Sequence, residues 1–209
     1  KIQSNNSINA HMKRLYCLII CVIIFAGATT FSQENVPVDS ANTNIKPVLT
    51  ISKCAGSSVK IDGIIDEEVW KKCSTATDFV EIEPGDNTKA VVKTEVKITY
   101  DDDFLYVAFI CYDDKMSKLR VSLTDRDKIY NDDYVGILID TYNDHKQAYE
   151  IFLNPYGIQG DGIWTRSSEE MNFDMLYDSE AKIYKDKWVI ELAVPFNSLR
   201  FPEKDEQEW

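Results

Sequence analysis

Fourteen residues, NDDYVGILIDTYND from Asn131 to Asp144, set a short apolar run between two clusters of carboxylates and amides. Oxygen groups at that density suit the ligation of a hard divalent cation, and Asp127, Asp132, Asp133, Asp140 and Asp144 are the candidate metal ligands. Seven strand residues span roughly 23 Å, so the two clusters lie at opposite ends of the run. Calcium takes about six to eight oxygens, and a site here must also recruit loops such as Asp101 to Asp103, Asp113, Asp114 or Asp161. The competing reading is that acidic loop tips keep a β-domain soluble and its edges unpaired.

Carboxylates can also work as acid and base. Glycoside hydrolysis needs two of them at about 5 to 9.5 Å with separated pKa values, and among 35 Asp and Glu residues such pairs arise by chance. Glu150 and Glu191 alone sit inside apolar runs, and the alternation turns both outward, so no residue is assigned a catalytic role. No Gly-rich phosphate loop, nucleophile elbow, His-rich spacing or internal repeat occurs in the sequence.

These residues must be positioned by a fold, and its limits are legible. Met12-Lys13-Arg14 leads into LYCLIICVIIFAGA, an apolar run followed by small and polar residues, which predicts an export signal cleaved near Ser32 with Gln33 as the mature start. Residues 33–46 read as a polar linker and 47–209 as one folded domain. Past residue 32 the chain holds 20 basic and 35 acidic residues, a net charge of about −15, which disfavours nucleic acid and anionic membranes as partners. Cys54, Cys73 and Cys111 remain, without C-x-x-C spacing; a Cys54–Cys73 disulfide and buried thiols are the two alternatives. The sequence reads as continuing beyond Trp209, so a membrane contact would come only from a region after it.

Strict alternation in TEVKITY (94–100) and the continuous apolar run FLYVAFICY (104–112), joined by three aspartates, predict a hairpin. VLTISK, TDFVEI, DYVGILID, AYEIFLN, SEAKIYK and KWVIELAVP read as further strands, with helical turns at Asp66–Lys72 and Phe196–Leu199. Asp66 is the expected N-cap of the first. NPYGIQGDG (154–162) reads as a turn-rich loop. Short strands at close spacing predict an all-β, antiparallel, jelly-roll-like β-sandwich.

Five segments in order carry a family resemblance: KIDGIIDEEVWKKC, ITYDDDFLYVAFICYD, DRDKIYNDDYVGILIDTYND, YEIFLNPYGIQGDG and DKWVIELAVPFNSLRF. Together they resemble the family 9 carbohydrate-binding module over roughly residues 48–209. The resemblance implies a β-sandwich that binds a polysaccharide or oligosaccharide, often beside a xylan- or glucan-degrading enzyme, with calcium in some members. It implies a non-catalytic domain of an exported protein, in the periplasm, at the outer membrane or outside the cell. The alternatives are a segment of a glycoside hydrolase and a structural N-terminal domain of an outer-membrane protein.

Sugars are held by flat rings against their C–H faces and by polar groups around their hydroxyls. Trp164, Tyr177 and Tyr149 are the ring candidates; Arg126, Asn154, Gln159 and Asp161 are the rim candidates. Before AKIYKDKWVIEL the resembling proteins usually show two tryptophans, where this chain has Phe173 and Tyr177. Trp70 and Trp188 are assigned to packing. A related group of sandwiches binds haem, but His145 stands in an Asp-rich turn without an apolar pocket, so no haem is expected.

Overall fold

The computed structural model describes residues 47–54 and 59–209. The signal, its cleavage point and the linker lie outside the described residues. Two antiparallel sheets pack face to face. The larger has the order β1 (Ser74–Ala76), β4 (Thr94–Tyr100), β5 (Phe104–Tyr112), β11 (Lys187–Pro195) and β10 (Asp178–Ile183). The smaller has β6 (Val135–Ile139), β7 (Gln147–Leu153), β8 (Gln159–Thr165) and β9 (Glu169–Glu170). A two-stranded ribbon joins β2 (Val80–Glu81) to β3 (Thr88–Lys89).

Period-2 alternation builds the space between the sheets. Val107 and Phe109 of β5, Ile190 and Leu192 of β11, and Ile151 and Leu153 of β7 all turn into it. Trp188 joins this core at 6% exposure, as the sequence predicts. β5, and β11 apart from Glu191, are apolar on both faces because the outer face of the large sheet is covered too. There the short helix α1 (Glu68–Lys72) lays Val69 and Trp70 against Tyr106, Ala108 and Ala193. Trp70 is fully buried, so its packing assignment holds.

Several local expectations are corrected. The N-cap of α1 is Glu67, not Asp66, and it makes no side-chain cap. VLTISK forms no strand; only a bridge from Lys53 to Tyr100 remains of it. NPYGIQGDG is not a loop throughout: the turn ends at Ile158 and Gln159–Thr165 is β8, paired along its length with β7. Gly160 and Gly162 point to the outer face, where the Tyr130 and Met171 side chains sit against the backbone, a role that a turn-rich composition mimics. Cys54, Cys73 and Cys111 are free thiols, Cys54 and Cys73 within one apolar cluster and Cys111 in the main core.

Candidate functional site

β8 divides the predicted sugar residues. Gln159, Asp161 and Ile163 face the inner side, while Gly160, Gly162 and Trp164 face outward. The inner set closes on itself around Arg126. Its guanidinium donates to Gln159 Oε1, to Asp161 Oδ1 and, at 2.9 Å, to the Met175 carbonyl. It also lies over the Tyr177 ring, 5.7 Å from the centroid. Asp161, fully buried, accepts from the Met175 N–H with its other oxygen, and Gln159 Nε2 donates to Ser179 Oγ at 2.8 Å. Burial pushes the Asp161 carboxyl up, opposed by the Met175 N–H and by Arg126. This network clamps the segment 173–177 and the turn at Asp127 onto β8.

Tyr177 and Tyr149 are therefore not platforms. They are 8% and 7% exposed and belong to the main core. Tyr149 packs near Phe173 and its hydroxyl accepts from the Arg200 N–H at 3.1 Å. Asn154, fully buried, is a turn-former: its amide donates to Asp132 Oδ2 at 2.9 Å and its carbonyl accepts from Tyr156 and Ile158 N–H, both at 3.0 Å. Of the seven predicted ligand residues only Trp164, half-buried, stands on an outer face.

The predicted metal ligands are separated in the same way. Asp132 accepts from Ser122 and Asn154, and Asp133 accepts from Arg120 Nε at 3.0 Å and its N–H at 2.9 Å. Asp127 accepts from the Asp161 N–H at 3.1 Å. At the other end of β6, Asp140 accepts from His145 N–H at 2.7 Å and Asp144 from Lys146 Nζ at 3.0 Å. No group of three or more His, Cys, Asp or Glu with metal-holding geometry occurs among the described residues.

The outer face of the small sheet holds what the sequence reading missed. Along β7 the outward residues are Ala148, Glu150 and Phe152; opposite them on β8 stand Trp164, Gly162 and Gly160. Phe152 meets Tyr130 and Tyr134 edge to face, at 6.0 and 5.6 Å between centroids. Trp164 lies two pairs further along, with Glu169 of β9 opposite it. Glu150 sits between these aromatic groups. A Cβ on Gly162 would meet Met171 Sδ at 3.3 Å and Glu150 Oε2 at 3.5 Å, so Met171 covers this point. Glu150 faces away from the main core, as its alternation predicts, yet it is only 4% exposed. Among the described residues its Oε2 has no hydrogen-bond partner, and neither has the buried Tyr130 hydroxyl. Burial, then the Glu169 charge, pushes the Glu150 carboxyl up to about 7.

Rings on either side of an unsatisfied carboxylate form an arrangement suited to a polyhydroxylated ring: apolar faces to stack on and a polar group to bond between them. The signal in the sequence was the glutamate inside the apolar run AYEIFLN.

Comparisons with known proteins agree with the architecture. The chain matches a family 9 carbohydrate-binding module from Caldicellulosiruptor kristjanssonii, solved in complex with glucose, at 20% identity and a TM-score of 0.51, over 73% of this chain and 71% of that one. A module from the same organism in complex with cellotriose matches at 19% identity and a TM-score of 0.49, over 69% and 65% of the two chains. Endo-1,4-beta-xylanase C of Paenibacillus barcinonensis is 23% identical over 138 residues, which is 66% of this chain but only 12% of that enzyme. The family model described as carbohydrate family 9 binding domain-like matches residues 61–208, most of the chain, and the protein belongs to that family.

Proposed function

We propose that this domain binds the sugar units of a polysaccharide on the outer face of its four-stranded sheet. Trp164 serves as the stacking ring, Tyr130 and Tyr134 flank the other side, and Glu150 with Glu169 takes the hydroxyls. The observation that carries this reading is Glu150 Oε2, a buried acceptor without a donor among the described residues, lying on one sheet face between Trp164 and the Tyr130, Tyr134 and Phe152 group. Membership of the carbohydrate family 9 binding domain-like family supports it, as does the glucose held by the similar solved module. Each good stacking contact contributes on the order of 1 kcal/mol beyond area, which places affinity in the micromolar to millimolar range.

The domain acts by binding, within an exported protein that works on polysaccharide; the xylanase relative supports that setting. Export itself rests on the leader at Lys13-Arg14 and is checked by mass spectrometry, which should find a mature N-terminus between residues 28 and 36.

The deciding experiment is affinity electrophoresis or calorimetry with soluble glucans and xylans. Trp164→Ala should abolish measurable binding while leaving the melt nearly in place. Retention of wild-type affinity by Trp164→Ala would place the sugar elsewhere. Absence of binding to any glycan would leave the domain a structural unit of a larger exported protein.

A further inference from the structure

Two carboxylates share the outer face of the small sheet, and the deeper one is unsatisfied. Glu150 is buried, its Oε2 lacks a donor among the described residues, and the charge that acts on it is Glu169. The nearby Tyr130 hydroxyl, buried and also without a partner, feels Asp127, Glu150, Asp161 and Glu169, all of them acids. The cations near them along the chain are engaged elsewhere: Lys128 with Asp125, Lys146 with Asp144, and Arg126 with Gln159 and Asp161 on the inner side of β8.

A buried carboxylate without a donor is costly, and a donor that also carries positive charge offsets that cost better than a hydroxyl does. An ammonium has three N–H donors and no acceptor. Here it could donate to Glu150 and to the Tyr130 oxygen at once, while the sugar ring lies on Trp164. A uronic acid would instead bring a third carboxylate to two others. Met171, a half-buried thioether with three rotatable bonds, covers Glu150 and can swing aside at little cost.

We infer that this face selects an amino sugar, a hexose bearing a protonated amine, with Glu150 as its principal acceptor and Glu169 as a supporting charge. The inference rests on the carbohydrate-binding reading of the same face and narrows it to one chemical class.

The test is calorimetry of the 209-residue chain with four trisaccharides: the glucosamine trimer, its N-acetylated form, cellotriose and trigalacturonate. The glucosamine trimer should bind about tenfold more tightly than cellotriose and its own acetylated form, and trigalacturonate most weakly. Glu150→Gln should lower affinity for the glucosamine trimer about tenfold and close its gap to cellotriose. Glu169→Gln, at an exposed position whose change leaves the fold intact, should lower it about threefold and provides the reading if Glu150→Gln fails to fold. Glu203→Gln, a distant exposed acid, controls for general attraction of a polycation to an acidic chain and should leave the order unchanged.

Equal binding of cellotriose and the glucosamine trimer overturns the inference while leaving the carbohydrate reading intact. So does an amine preference that survives both Glu150→Gln and Glu169→Gln, or one that Glu203→Gln removes. Failure of all four sugars to bind overturns both readings.

Discussion

Trp70 Nε1 donates a 2.8 Å hydrogen bond to Glu191 Oε1, across 121 residues of chain and beneath the outer face of the large sheet. Both residues are fully buried. The second oxygen, Oε2, accepts from the N–H groups of Asp62, Gly63 and Ile64 at 3.1, 2.8 and 3.2 Å. Gly63 makes this possible with φ +74, a conformation L side chains rarely adopt, and a Cβ there would meet Ala181 and Lys182 of β10 at 3.1 and 3.0 Å. The segment IDGIIDEEVW is thus wrapped around one carboxylate of β11. Burial raises the Glu191 pKa, and the N–H donors oppose that shift.

Removing that carboxylate strands three donors at once, the Ile64 N–H keeping Asp62 Oδ1 at 3.0 Å. Glu191→Ala should destabilise the domain by at least about 3 kcal/mol in urea denaturation, whereas Trp70→Phe, which keeps an aromatic ring, should cost about 1 to 3 kcal/mol. The double mutant should cost less than the two changes summed, because the bond is lost only once. Strict additivity would show that the pair does not couple.

Tyr177 and Trp164 should separate in a melt. Tyr177→Ala removes a core ring under Arg126 and should cost about 3 to 5 kcal/mol, while Trp164→Ala on the outer face should cost no more than about 1 to 2 kcal/mol. Comparable losses would mean that Trp164 is core.

Glu150 gives stability a defined pH dependence. Its folded pKa, about 7, stands above the ordinary value of 4.5. Between those values the folded state holds a proton that the unfolded state has released, so stability falls as pH rises through the window, and the full penalty is present above about pH 7. Glu150→Gln removes the penalty. Its gain over the parent should be small at pH 4 and reach at most about 3 kcal/mol at pH 8, measured by urea denaturation at both values. A gain independent of pH would contradict the shift.

The acidic loops answer a metal titration. Asp132, Asp133, Asp140 and Asp144 each accept from donors within reach of their own turns, such as Ser122, Arg120, His145 and Lys146. A calcium ion would have to displace those donors, so the melting temperature should move by less than about 1 °C between calcium and chelator. A rise near the equivalent of about 2.7 kcal/mol at a hundredfold excess over Kd would instead reveal a calcium site.

The amino-acid sequence by itself determined the class of fold and most of its core. Alternation in TEVKITY and doubled apolarity in FLYVAFICY and KWVIELAVP specify strands that are buried on one or both faces, and those strands form the large sheet. Local chemistry also carried the helical turn before Cys73 and the left-handed Gly63. Alternation told that Glu150 and Glu191 leave the main core, but which outer faces are covered is a matter of packing between distant segments. Only the tertiary structure decided that α1 and Gly63 close over Glu191, and that Met171 and the aromatics around Tyr130 close over the face of Glu150. The same dependence splits the predicted ligand residues: a glycine-rich string looks like a loop until its partner strand is known, and only the pairing of β8 with β7 puts Trp164 on one face and Asp161, Gln159 and the Arg126 clamp on the other. Strand periodicity is local, while the cover over each sheet face is set by long-range packing.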